Sequence, residues 1–119
     1  MKSYTDIEQS KKLAEILPIE SADMGYRYIK QSQDGVDYYT EETLPYQYAS
    51  YVGIPCWSLA ALLEVIPERV IIPYYAPYLQ KEDGKYHTAY GNDELLCEAD
   101  NPIDACYEMI LKLHEQKLL

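Results

Sequence analysis

Three cysteines, two histidines and twenty carboxylates are the side chains of this 119-residue chain that suit covalent, metal or acid–base chemistry. Their spacing supports little of it. A zinc site would have to gather Cys97, Cys106, His87 and either His114 or Cys56. No Cys-x-x-Cys or His-x-x-x-His pair holds two ligands on one turn. Cys97 falls in an expected strand and Cys106 on the apolar face of an expected helix, so packing accounts for both. Thiol catalysis would need Cys56 or Cys97 beside His87, a proximity that spacing does not test. General acid–base work needs two carboxylates in different surroundings. Glu64 is the suggestive one, since it and Ser58 are the polar residues of the run Trp57 to Ile66. An exposed stripe shared with Ala60 and Ala61, or a pair with Arg69, explains it as well. Asp34 and Asp37 read as turn residues. Gly25, Gly35, Gly53, Gly84 and Gly91 form no dinucleotide fingerprint or phosphate loop. Neither a nucleophile elbow nor a His-Glu-x-x-His helix occurs. No catalytic, cofactor-binding or metal-ligating residue is assigned, and the chain reads as non-enzymatic.

Tyrosine is the strongest compositional signal: fourteen Tyr stand beside one Trp and no Phe. A hydroxyl on an aromatic ring suits positions with one dry and one wet side, at sheet rims and recognition surfaces. The cluster is Tyr26, Tyr28, Tyr38, Tyr39, Tyr46, Tyr48 and Tyr51, with Tyr74, Tyr75 and Tyr78 as an extension. Strands favour aromatic residues in any case, so one reading has these rings lining a sheet. The functional reading takes Tyr26, Tyr28, Tyr38, Tyr46, Tyr48, Tyr74 and Tyr75 as an interaction surface for a protein partner or a second copy of the chain.

Ten Lys and Arg against twenty Asp and Glu leave a formal charge of −10. Such a surface does not neutralise phosphates, so neither direct nucleic-acid binding nor docking on an anionic membrane is expected. Acidic groups aid solubility. The sharper alternative is a decoy whose carboxylates imitate a phosphate backbone and occupy a DNA- or RNA-binding protein, although the acids here are spread along the chain and mixed with cations. A small hydrolase or sugar-binding domain, with tyrosines and carboxylates in one cleft, is the remaining alternative. The charged, amphipathic start from Met1 to Asp6 does not read as a secretion signal, and no apolar run reaches the roughly 18–20 residues that span a bilayer. Three reduced thiols and no disulfide framework fit a cytoplasmic protein.

The elements that must position these residues follow from local signals. Thr5 and Glu8 form a capping box ahead of a helix to Leu17, stopped by Pro18. Tyr26 to Lys30 reads as a strand, Asp34-Gly35 as a turn and Val36 to Thr40 as the returning strand. A further extended piece is expected from Tyr46 to Tyr51. Trp57 to Ile66 is apolar nearly all round and is expected to be the most buried helix, capped by Ser58 or starting near Pro55. Arg69 to Ile72 is at most an edge strand because of Pro73 and Pro77. Tyr78 to Lys81 and Lys85 to Tyr90 flank Glu82-Asp83-Gly84 as a hairpin, and Leu95 to Ala99 adds a strand. Asn101 caps a last helix with Pro102 in its first turn. The sum is one α+β domain over residues 1–119: an antiparallel sheet of three to five strands packed with three helices.

Two stretches and the opening carry a resemblance. Pro55-Cys56-Trp57-Ser58-Leu59-Ala60-Ala61-Leu62-Leu63, Asp100-Asn101-Pro102-Ile103-Asp104-Ala105-Cys106-Tyr107-Glu108-Met109 and the Thr-x-x-Glu-Gln-Ser-Lys-Lys-Leu start from Thr5 together resemble small proteins of prophages and mobile elements of gut anaerobes. The resemblance covers most of the chain in order. It implies a phage-type accessory protein and brings no catalytic residue to carry over. With the tyrosines, it makes a cytoplasmic protein that binds a protein partner, or dimerises, the expected function.

Overall fold

Capping and turn chemistry decide where most elements begin and end. The computed structural model describes residues 2–40, 43–45, 53–68, 76–90 and 92–119, the side chains of 92–94 excepted. Among these residues three α-helices and two antiparallel sheets, of four and three strands, make an α+β fold. The expected α+β class with small antiparallel pairing and three helices is present; the strands lie in two sheets, and packing divides the chain into two units. One is Tyr4–Ala61; the other is Leu62–Leu119 with Met1–Ser3.

In the first unit, α1 (Ile7–Ala14) is capped by Asp6 rather than by Thr5. The Asp6 carboxylate accepts the Gln9 N–H at 2.8 Å, and Gln9 Oε1 accepts the Asp6 N–H at 3.1 Å. Thr5 is unable to cap because its hydroxyl is engaged inside. It is fully buried, accepts the Trp57 N–H at 3.1 Å and shares a 2.8 Å hydrogen bond with the buried Ser10 hydroxyl. After Pro18 comes a 3₁₀ turn, Ile19–Ser21. Strand β1 (Met24–Gln31) pairs antiparallel with β2 (Asp37–Tyr39), β3 (Leu44–Pro45) and β4 (Gly53–Cys56). The β1–β2 turn needs a left-handed residue, and Gly35 supplies it at φ +83°. The core joins Tyr26, Ile54 and Cys56, with Tyr4, Ile7, Met24 and Tyr39 packed against it.

Pro55 and Cys56 are strand residues, so the next helix does not start there. Helix α2 (Leu59–Val65), in which the division between units falls, begins after Ser58. The Ser58 hydroxyl oxygen accepts the Ala61 N–H at 3.2 Å, while Ser58 N–H and Oγ–H both donate to the Asp23 carboxylate. The expectation that this is the most buried helix is corrected. It has seven residues, and Ala60, Leu63 and Glu64 are exposed beside buried Ala61 and Leu62. Two turns of helix present only a stripe to a core, however apolar the rest.

The most buried helix is α3 (Pro102–Glu115) of the second unit. Pro102, Ile103, Ala105, Cys106, Met109, Ile110 and Leu113 recur at the helical period and are all buried. Asn101 caps it by accepting the Asp104 N–H at 2.8 Å. The sheet of this unit runs β5 (Tyr78–Glu82), β6 (Lys85–Tyr90), β7 (Asn92–Ala99) in that spatial order. Asp83 at φ 52° and Gly84 at φ 78° make the two-residue β5–β6 turn, whose double positive φ matches strand twist. Thr88 faces α3, since its hydroxyl donates to the Ala105 carbonyl at 2.7 Å. The extended piece expected from Tyr46 to Tyr51 and the run Arg69 to Ile72 lie outside the described residues.

Candidate interaction surface

Alternation along β1 turns Tyr26 and Tyr28 one way and Arg27 and Ile29 the other. Tyr26 is in the core at 5% exposure, and its hydroxyl donates to the Thr5 carbonyl at 2.7 Å. It is therefore corrected from surface residue to core residue: the ring fills the interior, and the hydroxyl finds a main-chain acceptor there. Burial, then the neighbouring Cys56 thiol, Tyr4 and Asp6, raise its pKa well above the usual phenol value. Tyr28 is half-buried and meets Tyr39 across the strands edge to face, with ring centres 5.7 Å apart and planes at 73°. The Lys11 ammonium lies 6.0 Å from the Tyr39 ring centre. Tyr39 also packs on the core, so Tyr38, next along β2, points outward.

The outer side of this ribbon is apolar and wet. Ile29 is 57% exposed, Val36 52% and Tyr38 48%. Opposite Tyr38 stands Lys30, whose ammonium lies 5.9 Å from the ring centre. Between Tyr28 and Lys30 the register slips by one residue at Ile29. Such a bulge sharpens the twist and disrupts the ladder locally. Ile29 and Val36 were absent from the expected surface, although the period-two pattern that put Ile29 opposite to Tyr28 is the signal that finds it. Tyr46, Tyr48, Tyr51, Tyr74 and Tyr75 lie outside the described residues. Tyr78, on β5 of the other unit, is 48% exposed.

The chemistry-bearing residues stay apart. Thr88 pairs with Cys97 and His87 with Glu98 across β6 and β7. Neighbouring residues of a strand point to opposite faces, so Cys97 and His87 lie on opposite sides of the sheet and form no thiol–imidazole pair. His87 Nε2 is instead 3.7 Å from Glu98 Oε2. Burial raises the pKa of Cys56 and Cys106 to about 12, with Asp23 adding to the effect at Cys56. Both thiols are protonated at neutral pH and inert as nucleophiles. Cys97 is half-buried, and burial raises its pKa too. Glu64 is exposed on α2. Among the described residues no three His, Cys, Asp or Glu side chains converge as a metal ion would require, and no helix is long and apolar enough to cross a membrane.

The second unit contains a hollow of about 100 Å³ between α2, α3 and β5. Leu63, Ile66, Pro77, Leu79 and Met109 supply most of its apolar wall. Of the three hydroxyl-bearing residues on it, Thr88 and Tyr90 are engaged through their hydroxyls, and Tyr78 is 48% exposed. Thr88 donates to Ala105 as described, and Tyr90 donates to the Pro67 carbonyl at 2.6 Å. Among the described residues no carboxylate, thiol or imidazole stands in its wall. No protein-family model, curated protein or solved structure matches this chain.

Proposed function

We propose that this chain is a non-enzymatic, phage-type accessory protein of the cytoplasm that works by binding a protein partner. The contact surface is the outer side of the β1–β2 ribbon, centred on Ile29 and Tyr38 and flanked by Val36 and Lys30. One observation carries the reading. Large apolar side chains about half exposed or more fall on β1 (Ile29), on β2 (Tyr38) and in the connection between them (Val36). Isolated exposed apolar residues are ordinary, whereas a contiguous group with an aromatic at its centre is the composition of an interface core. The Lys30 ammonium beside Tyr38 fits the same role, since a cation on an aromatic ring strengthens as water leaves.

The test is paired affinity capture from host lysate with the wild-type chain and an Ile29→Ser, Tyr38→Ser double variant. Thermal unfolding confirms that both are folded. The expected result is a protein retained by the wild type and lost with the variant. Identical sets of retained proteins would remove the ribbon from consideration. Sedimentation of the free chain over a range of concentrations separates a foreign partner from a second copy: self-association abolished by the same two substitutions assigns the ribbon to a homodimer.

A further inference from the structure

The second unit offers a different kind of contact. Strand β5 is an edge of its sheet, and among the described residues β6 is its only strand neighbour. The two-residue turn makes Glu82 and Lys85 a hydrogen-bonded pair, and such pairs alternate along an antiparallel ladder. Tyr78, Gln80 and Glu82 therefore bond to β6, while the main-chain N–H and C=O groups of Leu79 and Lys81 point away from it. An edge of this kind is a template for one more strand.

Beside the start of this edge lies the 100 Å³ hollow, with Pro77, Tyr78 and Leu79 in its wall. Leu79 pairs with Thr88, so the two side chains share the face turned to α3. A water held there stably needs two to four polar partners, and among the described lining side chains only the Tyr78 hydroxyl stands beyond the two already engaged. The hollow suits an aliphatic side chain. Leu63 at its wall is 46% exposed and continues the apolar surface outward. At the far end of β5, Lys85 is paired with Asp100 and the Lys81 ammonium lies 5.6 Å from the Tyr86 ring centre. Glu82 and Asp83 are in no ion pair among the described residues; with Lys81 and Lys85 they leave the turn formally neutral, two carboxylates beside two ammonium groups.

We propose that the β5 edge is a docking site for an extended peptide that adds a fourth strand, seats one aliphatic side chain in the hollow and places a basic residue beside Glu82. The spacing follows from strand geometry. From Leu79 to Glu82 is three residues, about 10 Å, so anchor and cation stand three positions apart on the peptide and on opposite faces. Main-chain bonding supplies affinity without sequence preference; the hollow and the Glu82 carboxylate supply the preference. The occupant complements the chain's own charge of −10.

Amide hydrogen exchange and NMR titration test this on the full chain. In the free protein the Leu79 and Lys81 amides exchange much faster than those of Gln80 and Glu82. Slow exchange at both would mean that the edge is already covered and would overturn the proposal. The probe is the capped peptide Thr-Leu-Thr-Val-Arg-Thr, with control peptides in which Asp replaces its Leu or Glu replaces its Arg. Expected is protection of the Leu79 and Lys81 amides on titration, with affinity about tenfold weaker for the Asp control, the size of one lost apolar anchor. Two protein variants locate the contact. Lys81→Pro removes an outward N–H at an edge position that tolerates proline, and Leu63→Lys places a charge at the mouth of the hollow from an exposed site. Both weaken binding while thermal unfolding stays near wild type. Affinity equal for all three peptides, unchanged by both variants, or absent throughout the titration overturns the peptide site. Dimerisation of the free chain that Lys81→Pro abolishes assigns the edge to a second copy instead.

Discussion

The two units bury their interiors by different means. Between Tyr4 and Ala61 the interior is threaded with polar groups: Thr5 and Ser10 are fully buried, Tyr26 donates to Thr5, and the Trp57 indole N–H donates to Ser21 at 2.9 Å. From Leu62 onward it is chiefly aliphatic, built from Leu62, Leu95, Ile103, Ile110 and Leu113 with Met109 and Cys106. A network of hydrogen bonds specifies one arrangement through direction, and each member depends on the others being paired. An aliphatic core specifies through volume, and its cost of damage scales with the space left empty. Both units nevertheless use one device, a tyrosine ring inside with its hydroxyl on a main-chain carbonyl: Tyr26 on Thr5 and Tyr90 on Pro67.

Breaking the volume-based core has the largest expected effect. Ile110→Ala, at a site of zero exposure on α3, should lower unfolding free energy by about 3 kcal/mol in chemical denaturation, since a cavity is added to the lost transfer energy. A loss under about 1 kcal/mol would mean that the α3 face can collapse around the gap and that the core is not volume-specified. Thr5→Val tests the other unit. The shape is kept, but the Trp57 N–H and the Ser10 hydroxyl lose their shared partner, for an expected loss of about 2 kcal/mol. A double-mutant cycle of Thr5→Val with Ser10→Ala should be clearly non-additive; additivity would remove the network from the account.

Tyr26→Phe and Tyr90→Phe compare the shared device directly. Each should cost about 1 kcal/mol, with Tyr26→Phe the more damaging because its acceptor lies inside the polar network. The alkaline effect is small just above pH 9 and grows with each further pH unit. Cys56 and Cys106 stay protonated in the fold up to about 12, whereas an unfolded thiol ionises near its ordinary 9.0. The unfolded state thus releases protons first, and the stability that these thiols contribute, complete below pH 9, declines as pH rises from 9 towards 12. Melting temperatures measured across that window should fall. The slope should shrink in a Cys106→Ala variant relative to wild type, and an unchanged slope would exclude that thiol as a source.

The start of α3, the β5–β6 hairpin and the β1–β2 turn were legible in the chain, because each is governed by chemistry within a few residues: Asn101 before Pro102, Asp83-Gly84, and Gly35. The cap of α1 was misread for the opposite reason. Thr5 has the side chain of a capping residue, and only a partner fifty-two positions away, Trp57, draws its hydroxyl inward. Glu64 looked suggestive within its run, yet whether a carboxylate on a two-turn helix faces solvent depends on what packs beside the helix. Of the residues expected on a surface, Tyr38 is half exposed and Tyr26 is buried, since a tyrosine suits an interior equally once an acceptor such as the Thr5 carbonyl is near. Ile29 was passed over because an isoleucine reads as core until the sheet's inner side is known.

Local stereochemistry and composition therefore settle the α+β class, the acidic balance and the turn and cap positions, for they depend on neighbours in the chain. The partition into two units, the separation of His87 from Cys97, the hollow under β5 and the wet face of the β1–β2 ribbon come from tertiary packing. Each depends on which distant groups meet, and burial and hydrogen-bond pairing across the fold decide that where no short stretch of sequence carries the information.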